Sequence, residues 1–353
     1  MIRVLGLALY GPLAASTRYR LGQYVPGLAG EGIELKIVHL LGDDYLRRRF
    51  SGEAWPVGSM LRAGVGRFAD LLGQSDFDVA MLHCELYPFL PGGIERALIR
   101  IPYVYDFDDA FYLKYRSGAK RLFKPFLGSK FDKVIAGAAG ITAGNSTLAN
   151  YARQFNSKEY YLPTVVDTER YIPSARDRSE AVFTVGWIGS PSTAPYLAEL
   201  VAPLSLLGLE GQVRFVVIGG KAPVIPNVSV VEINWQESTE IDLISTFDVG
   251  VMPLPDDDWA KGKCAFKLIQ YMACGVPVVA SAVGANVEVV TNECGLLAST
   301  PDEWLAAFRS LRDGRARRIE MGRAARERVE QHYSLRRNLP VLANVLRAAA
   351  GKS

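Results

Sequence analysis

Cysteine is scarce: Cys84, Cys264, Cys274 and Cys294 are the whole supply in 353 residues, and no two form a CxxC pair. That argues against a disulfide framework or a cysteine zinc site, and free thiols in a reducing compartment are the simplest account. Three histidines, His39, His83 and His332, are too few for a His-rich zinc site. No run of about 20 uninterrupted apolar residues occurs, so no segment is expected to span a membrane. The N-terminal stretch, Met1 to Tyr10, lacks the length and cleavage pattern of a signal peptide and is expected to be a first strand. Charge of one sign is also lacking: 40 Lys and Arg face 37 Asp and Glu, for a net charge of +3. Wholesale nucleic-acid binding is therefore not expected, although a local basic patch remains open. There is no GxGxxG, so the dinucleotide fingerprint is absent, and there is no low-complexity tract.

What is present is apolar sequence arranged as alternating strands and helices. Hydrophobic residues make up 49% of the chain, and 353 residues exceed the size at which one core keeps growing, so two domains are expected. The first half predicts strands over 2–9, 33–40, 76–83, 103–107 and 140–143, with a strand and loop over 160–167. A polar stretch at 174–179 marks a boundary. The second half restarts the pattern with strands over 181–190, 213–218, 228–233, 249–254, 277–280 and 295–298. Helices close the chain over about 301–312, 315–333 and 335–349. The expectation is an α/β protein with Rossmann-like domains at 1–175 and 176–334, and a C-terminal helix over about 335–353 that can pack back on the first.

One stretch concentrates the chemistry. After the apolar run Val249–Leu254 comes a loop with Asp256, Asp257, Asp258, Lys261 and Lys263, then a helical pattern over 266–273 that carries Lys267 and ends at Gly275 and Pro277. Helix N-termini offer unpaired N–H groups and partial positive charge, and suit phosphate. Lys263 and Lys267 add full charges there. The alternative is a βαβ unit with solvated lysines. Near the N-terminus, Gly11 turns the chain, and Arg18 and Arg20 begin the next helix as candidates to hold an anionic ligand or acceptor; a solvated first turn is the alternative.

Asp106, Asp108 and Asp109 end the strand at 103–107. Ligands of parallel α/β sheets bind outside the carboxyl ends of strands, and carboxylates this close push their pKa values apart. A helix N-cap would be the structural alternative. Residues 112–133 interleave seven basic side chains, among them Lys114, Arg116, Lys120, Arg121 and Lys130, with aromatic and aliphatic ones, and Asp132 is the one acid. Such a stretch suits an anionic membrane surface, or a core helix with a basic solvated face.

Phe266–Ser281 (FKLIQYMACGVPVVAS), followed by Val283–Val290 (VGANVEVV) and Gly295–Leu297, resembles the C-terminal signature of retaining glycosyltransferases of family 4. Trp187–Ser190, Phe247–Leu254, Ala143–Ser146, Leu162–Asp167, Met321–Glu330 and His332–Leu335 agree in order. The resemblance implies a GT-B fold, two Rossmann-like domains facing across a cleft, with the donor held mainly on the C-terminal one. It implies transfer of a sugar from a nucleotide-diphosphate sugar, a UDP- or GDP-sugar, to a glycan or lipid-linked acceptor with retention, with no metal or other cofactor. Cell-surface polysaccharide or glycoconjugate synthesis in the cytoplasm, peripheral at the inner face of the membrane, would fit it.

Carried over by position, Gly189 and Ser190 line the diphosphate, Lys263 and Lys267 meet its charge, and Trp235 lies where the base sits. Gln270 falls on the second Glu of the E-x7-E motif, and the first falls on Gly262. Gly284 and Glu288 match the loop and helix that buttress the site. Asp108 stands where the family often has a His, so Asp108, Asp109 and Lys267 are the expected catalytic groups. The departing diphosphate is implied to take the acceptor proton, with cationic groups offsetting its charge. Two rivals remain: a sugar-nucleotide epimerase or hydrolase on the same fold, and a degenerate, non-catalytic GT-B partner protein, the latter prompted by Gly262.

Overall fold

The computed structural model describes residues 1–116, 122–173 and 182–352. Twelve strands form two parallel sheets of six among them. The first sheet contains β1 (Ile2–Tyr10), β2 (Ile33–Leu41), β3 (Val79–His83), β4 (Tyr103–Phe107), β5 (Gly140–Ala143) and β6 (Glu159–Tyr161), in the order β2-β1-β3-β4-β5-β6. The second contains β7 (Phe183–Ile188), β8 (Val213–Ile218), β9 (Ser229–Ile233), β10 (Val249–Met252), β11 (Val278–Ser281) and β12 (Gly295–Ala298), in the order β12-β11-β10-β7-β8-β9. Strands buried on both faces need continuous apolar runs, and β3, β4, β7 and β10 are buried throughout. In each sheet the order reverses once, between β1 and β3 and between β7 and β10. Ligands of open α/β sheets bind at such reversals, outside the carboxyl ends of the strands.

The chain divides into two compact units. One comprises 1–164, 262–264 and 335–353, and the other 165–261 and 265–334. The expected boundary at 175/176 lies outside the described residues. Residues 165–173 pack with the second unit, where the Val166 N–H donates to the Tyr333 carbonyl at 3.1 Å. The strand expected from 160 therefore stops at Tyr161.

In the second unit Trp187, Leu204, Phe215, Trp304 and Phe308 fill one side of the sheet, and Phe247, Leu268, Tyr271 and Met272 the other. The helix Phe266–Ala273 is tied to β7 by the Tyr271 hydroxyl, which accepts from the Ile188 N–H at 2.9 Å. Gly250 leaves room for the Tyr271 ring, so this close helix–strand approach depends on the missing side chain. In the first unit the helix expected to begin with Arg18 and Arg20 is broken into Ala15–Arg20, a 3-10 turn at Gly22–Tyr24, and Val25–Gly30. Pro26 starts the last piece.

Candidate active site

In the second unit Gly189, Ser190, Lys267 and Trp235, four of the groups expected to hold a donor, lie at the carboxyl ends of β7, β8 and β9. Gly189 follows β7. A Cβ there would press on the Trp187 ring and stand 2.9 Å from Lys267 Cε, so only glycine leaves this backbone open. Lys267 Nζ lies over the Trp187 ring, 5.4 Å from its centroid, which holds the ammonium at the strand end. Ser190 follows in the same loop, its hydroxyl 2.8 Å from that of Ser192. Gly219, at a φ of 80°, ends β8 in the left-handed region beside Gly189 and Trp235.

Gln270 does not offer a free amide at the surface. It is buried, and its Nε2 donates to the Tyr171 hydroxyl at 2.9 Å and to Glu240 Oε1 at 2.8 Å. Trp235 Nε1 donates to Glu240 Oε2 at 2.6 Å, and the Tyr171 hydroxyl also bonds Glu240. Glu240 thus joins Trp235 to Gln270, a role that sequence reading did not assign. Gly284, at a φ of 53°, packs against the Lys261 backbone and caps the helix Ala285–Val289, which carries the half-buried Glu288. In the preceding loop Lys261 pairs with Asp256 at 2.8 Å, which accounts for part of its alternating charge.

In the first unit a buried polar network lies at the ends of β3, β4 and β5. Strand register sets His83 opposite Asp106 and Asp106 opposite Thr142. Asp106 is fully buried. It accepts from His83 Nδ1 at 2.7 Å, Thr142 Oγ1 at 2.6 Å and Arg20 Nε at 3.1 Å, and Arg20 Nη2 reaches its other oxygen. Burial opposes its charge, but Arg20, His83 and their hydrogen bonds outweigh burial and hold the carboxyl well below its usual range. For His83 burial works downward, while the bond to Asp106 and the charge of Asp108 prevail and raise it. Arg20 therefore does not face an anionic ligand. It is buried, its charge met by Asp106, and its Nη1 donates to the Leu162 carbonyl at 2.7 Å. Arg18 turns back on its own loop, donating to the carbonyls of Pro12 and Leu13 at 2.9 and 2.8 Å. Gly11 sits close against Asp43, whose Oδ1 accepts from the Leu13 N–H at 2.8 Å.

Asp108 and Asp109 border that network, at the partly exposed end of β4. Asp108 Oδ1 is 3.8 Å from His83 Nε2. Residues 262–264 dock here. Lys263 Nζ is 3.5 Å from Asp109 Oδ1, its carbonyl accepts from Asn145 Nδ2 at 2.9 Å, and Cys264 Sγ donates to the Asp108 carbonyl at 3.1 Å. A Cβ on Gly262 would stand 2.8 Å from Ala110 N and 3.0 Å from its Cα, so there is no room for the glutamate of the E-x7-E pattern in this backbone.

The basic, aromatic stretch 112–133 is partly internal. Lys130 is buried, bonding Glu85 at 2.8 Å, Glu95 at 2.9 Å and the Tyr87 carbonyl at 2.6 Å. Lys114 pairs with Glu85, and Arg116 grips Asp132 at 2.6 and 2.7 Å. Leu122, Phe123 and Phe126 remain exposed. Lys120 and Arg121 lie outside the described residues.

Residues 180–313 match the family model described as "Glycosyl transferases group 1". Among curated proteins none matches the chain in sequence. Solved structures are similar over nearly the whole length. Sucrose-phosphate synthase from Thermosynechococcus elongatus superposes with a TM-score of 0.71 at 13% identity, covering 98% of both chains. A glycosyltransferase from Rickettsia africae gives 0.72 at 11%, covering 100% of this chain and 99% of its own. Anabaena HepE in complex with UDP-glucose gives 0.72 at 13%, covering 99% and 100%. The chain thus has the GT-B fold of two Rossmann-like domains, and its residues 180–313 are similar to the glycosyl transferases group 1.

Proposed function

We propose that the chain is a glycosyltransferase that moves a sugar from a nucleotide-diphosphate sugar to a hydroxyl acceptor with retention of configuration. One observation carries this reading: the family match at 180–313 contains Gly189, Ser190, Trp235, Glu240, Lys263, Lys267, Gln270, Gly284 and Glu288. That HepE, of similar fold, forms a complex with UDP-glucose supports a UDP-sugar as donor.

In the second unit the diphosphate lies along Gly189 and Ser190, with the Lys267 ammonium against its charge. Trp235 packs on the nucleotide, held by Glu240, while Gln270 acts through Glu240 and does not touch the ribose. Lys263 adds charge near Asp109. Asp108 and Asp109 position the acceptor hydroxyl and stabilise positive charge developing on the sugar. The bond from the anomeric carbon to the phosphate oxygen breaks, the bond to the acceptor oxygen forms on the same face, and the acceptor proton passes to the departing diphosphate. Lys267 offsets the charge of that leaving group. Removing one such stabilising group typically costs about 10²–10³ in rate.

The acceptor is a glycan or lipid-linked saccharide of cell-surface polysaccharide synthesis, met at the cytoplasmic face of a membrane. Exposed Leu122, Phe123 and Phe126 beside Lys124 support that contact. So does the helix Val57–Leu72, which exposes Val57, Leu61, Val65, Phe68 and Leu72 in one stripe. Incubation with UDP- and GDP-sugars and a lipid-linked acceptor extract tests the reading. Acceptor-dependent release of nucleotide, with product retaining the donor's anomeric configuration, is expected. Donor turnover that needs no acceptor would overturn it in favour of a hydrolase or epimerase.

A further inference from the structure

Beside the reversal of the first sheet, three groups of metal-ligating type meet at the ends of β3 and β4. One ligand atom each from His83, Cys84 and Asp108 lie within 4.8 Å of one another. His83 Nε2 is buried and has no hydrogen-bond partner, and Asp108 Oδ1 stands 3.8 Å from it. The other ring nitrogen fixes what Nε2 offers. Asp106 accepts from Arg20 and Thr142 and meets His83 Nδ1 at 2.7 Å, which engages that nitrogen and leaves Nε2 for a ligand. Nε2 and the Asp108 carboxylate, both electron-pair donors to a metal, face each other across a gap too wide for a hydrogen bond. A cation fits between two such electron-pair donors. Bonds of about 2.0–2.2 Å, as zinc makes to nitrogen and oxygen, reach across that distance.

Cys84 completes the group at a conformational cost. Its φ of 68° lies in the left-handed region, which a residue with a side chain adopts only when its surroundings hold it there. The Cys84 N–H donates to the Asp106 carbonyl at 3.1 Å, and the Tyr105 hydroxyl donates to the Cys84 carbonyl at 2.9 Å, so this backbone is held on both sides. Asp106 behind His83 supplies the carboxylate–imidazole pairing that orients metal-bound histidines.

We propose that His83 Nε2, Cys84 Sγ and the Asp108 carboxylate form a binding site for a divalent transition-metal ion of the zinc class. Nitrogen, thiolate and carboxylate together suit zinc or cobalt better than magnesium or calcium. Asp108, the one partly exposed member, is the side from which the ion enters. On binding, the Cys84 S–H bond gives way to a sulfur–metal bond and the proton leaves to solvent. The site goes beyond sugar transfer but shares Asp108 with it, and its test reads metal binding alone, so that the two readings fail separately.

The test is titration of the metal-stripped full chain with Co2+, followed by absorption, and with Zn2+, followed by calorimetry. Circular dichroism checks that each variant is folded. One equivalent should bind with a thiolate-to-cobalt charge-transfer band. That band should vanish in Cys84→Ser and in Cys84→Gly, the latter adopting the left-handed backbone without strain. Zinc affinity should fall about ten-fold or more in His83→Gln, with Asp108→Asn as the second ligand deletion should that variant not fold. Cys274→Ser, a buried thiol of the second unit, should leave both readouts unchanged. No cobalt band in the folded wild-type chain, or a band that survives Cys84→Gly, would overturn the proposal.

Discussion

Replacing Arg20 by Met removes the cation that keeps a buried carboxylate charged. Asp106 would keep only Thr142 and His83 as partners, and the Leu162 carbonyl would lose its donor. Breaking one side of a fully buried pair costs about 3–5 kcal/mol, chiefly because the survivor is stranded in low dielectric. Asp106→Asn strands the guanidinium instead and should cost a similar amount. The double variant Arg20→Met/Asp106→Leu strands neither charge, so its cost should fall well below the sum of the single ones. The two units need not unfold together, so global melting is a poor readout. Hydrogen exchange of peptides covering β1, β3 and β4 is the suitable assay. At 1.36 kcal/mol per factor of ten, protection there should fall by roughly 10²–10⁴-fold in Arg20→Met. The pH dependence has a definite sign. Asp106 is depressed in the folded chain, so its contribution is present above the ordinary carboxylate pKa and is lost as pH falls. The gap between Arg20→Met and wild type should therefore narrow in acid. A protection loss below about ten-fold at neutral pH, or strictly additive single variants, would refute the reasoning.

Glu95 has the opposite sign: burial, outweighing Lys130, raises its carboxyl to about 7. The folded chain then holds a proton that the unfolded chain has lost, so the stability of the first unit should decline from pH 4.5 to 7. Glu95→Gln should flatten that slope in urea titrations at the two ends, and an unchanged slope would count against it. Gly262→Ala pushes a methyl into Ala110 and should destabilise by about 1–3 kcal/mol, read as faster hydrogen exchange of peptides covering Ala110 and 262–264, while unchanged exchange would contradict the packing account. Glu240→Ala leaves the Trp235, Gln270 and Tyr171 donors without their acceptor, at about 1–3 kcal/mol for each group left buried. Faster hydrogen exchange of the second unit together with altered Trp235 fluorescence should result, and an unmoved spectrum would argue against the linkage.

The strands were legible because buried parallel strands need apolar runs, and β4, β5, β8 and β12 lie where the sequence predicts them. Two helices escaped notice, Asp43–Ser51 and Val57–Leu72. The longer one carries Gly58, Gly64 and Gly66 and turns much of its apolar surface outward, so burial periodicity does not mark it. In the candidate site, Lys267 is read from the start of its helix and Gly189 from the resemblance, and the structure sets the two side by side. Arg20 was misjudged, because a local pattern cannot tell a solvent-facing arginine from one that crosses 86 residues to Asp106. A signal for that network did exist: His83, Asp106 and Thr142 are polar residues within otherwise apolar strands, and register pairs them. Glu240 gave no such signal, since its partners Trp235, Gln270 and Tyr171 come from three separate stretches.

Calorimetric titration of the wild-type chain, Lys267→Ala and Lys36→Ala with UDP-sugars and GDP-sugars tests the donor site most directly. One nucleotide sugar should bind the wild-type chain and the exposed control Lys36→Ala alike. Loss of a charged hydrogen bond worth about 1.5–3 kcal/mol should weaken it roughly ten-fold or more in Lys267→Ala. Binding that is indifferent to Lys267, or no binding of any nucleotide sugar to the folded wild-type chain, would contradict the account.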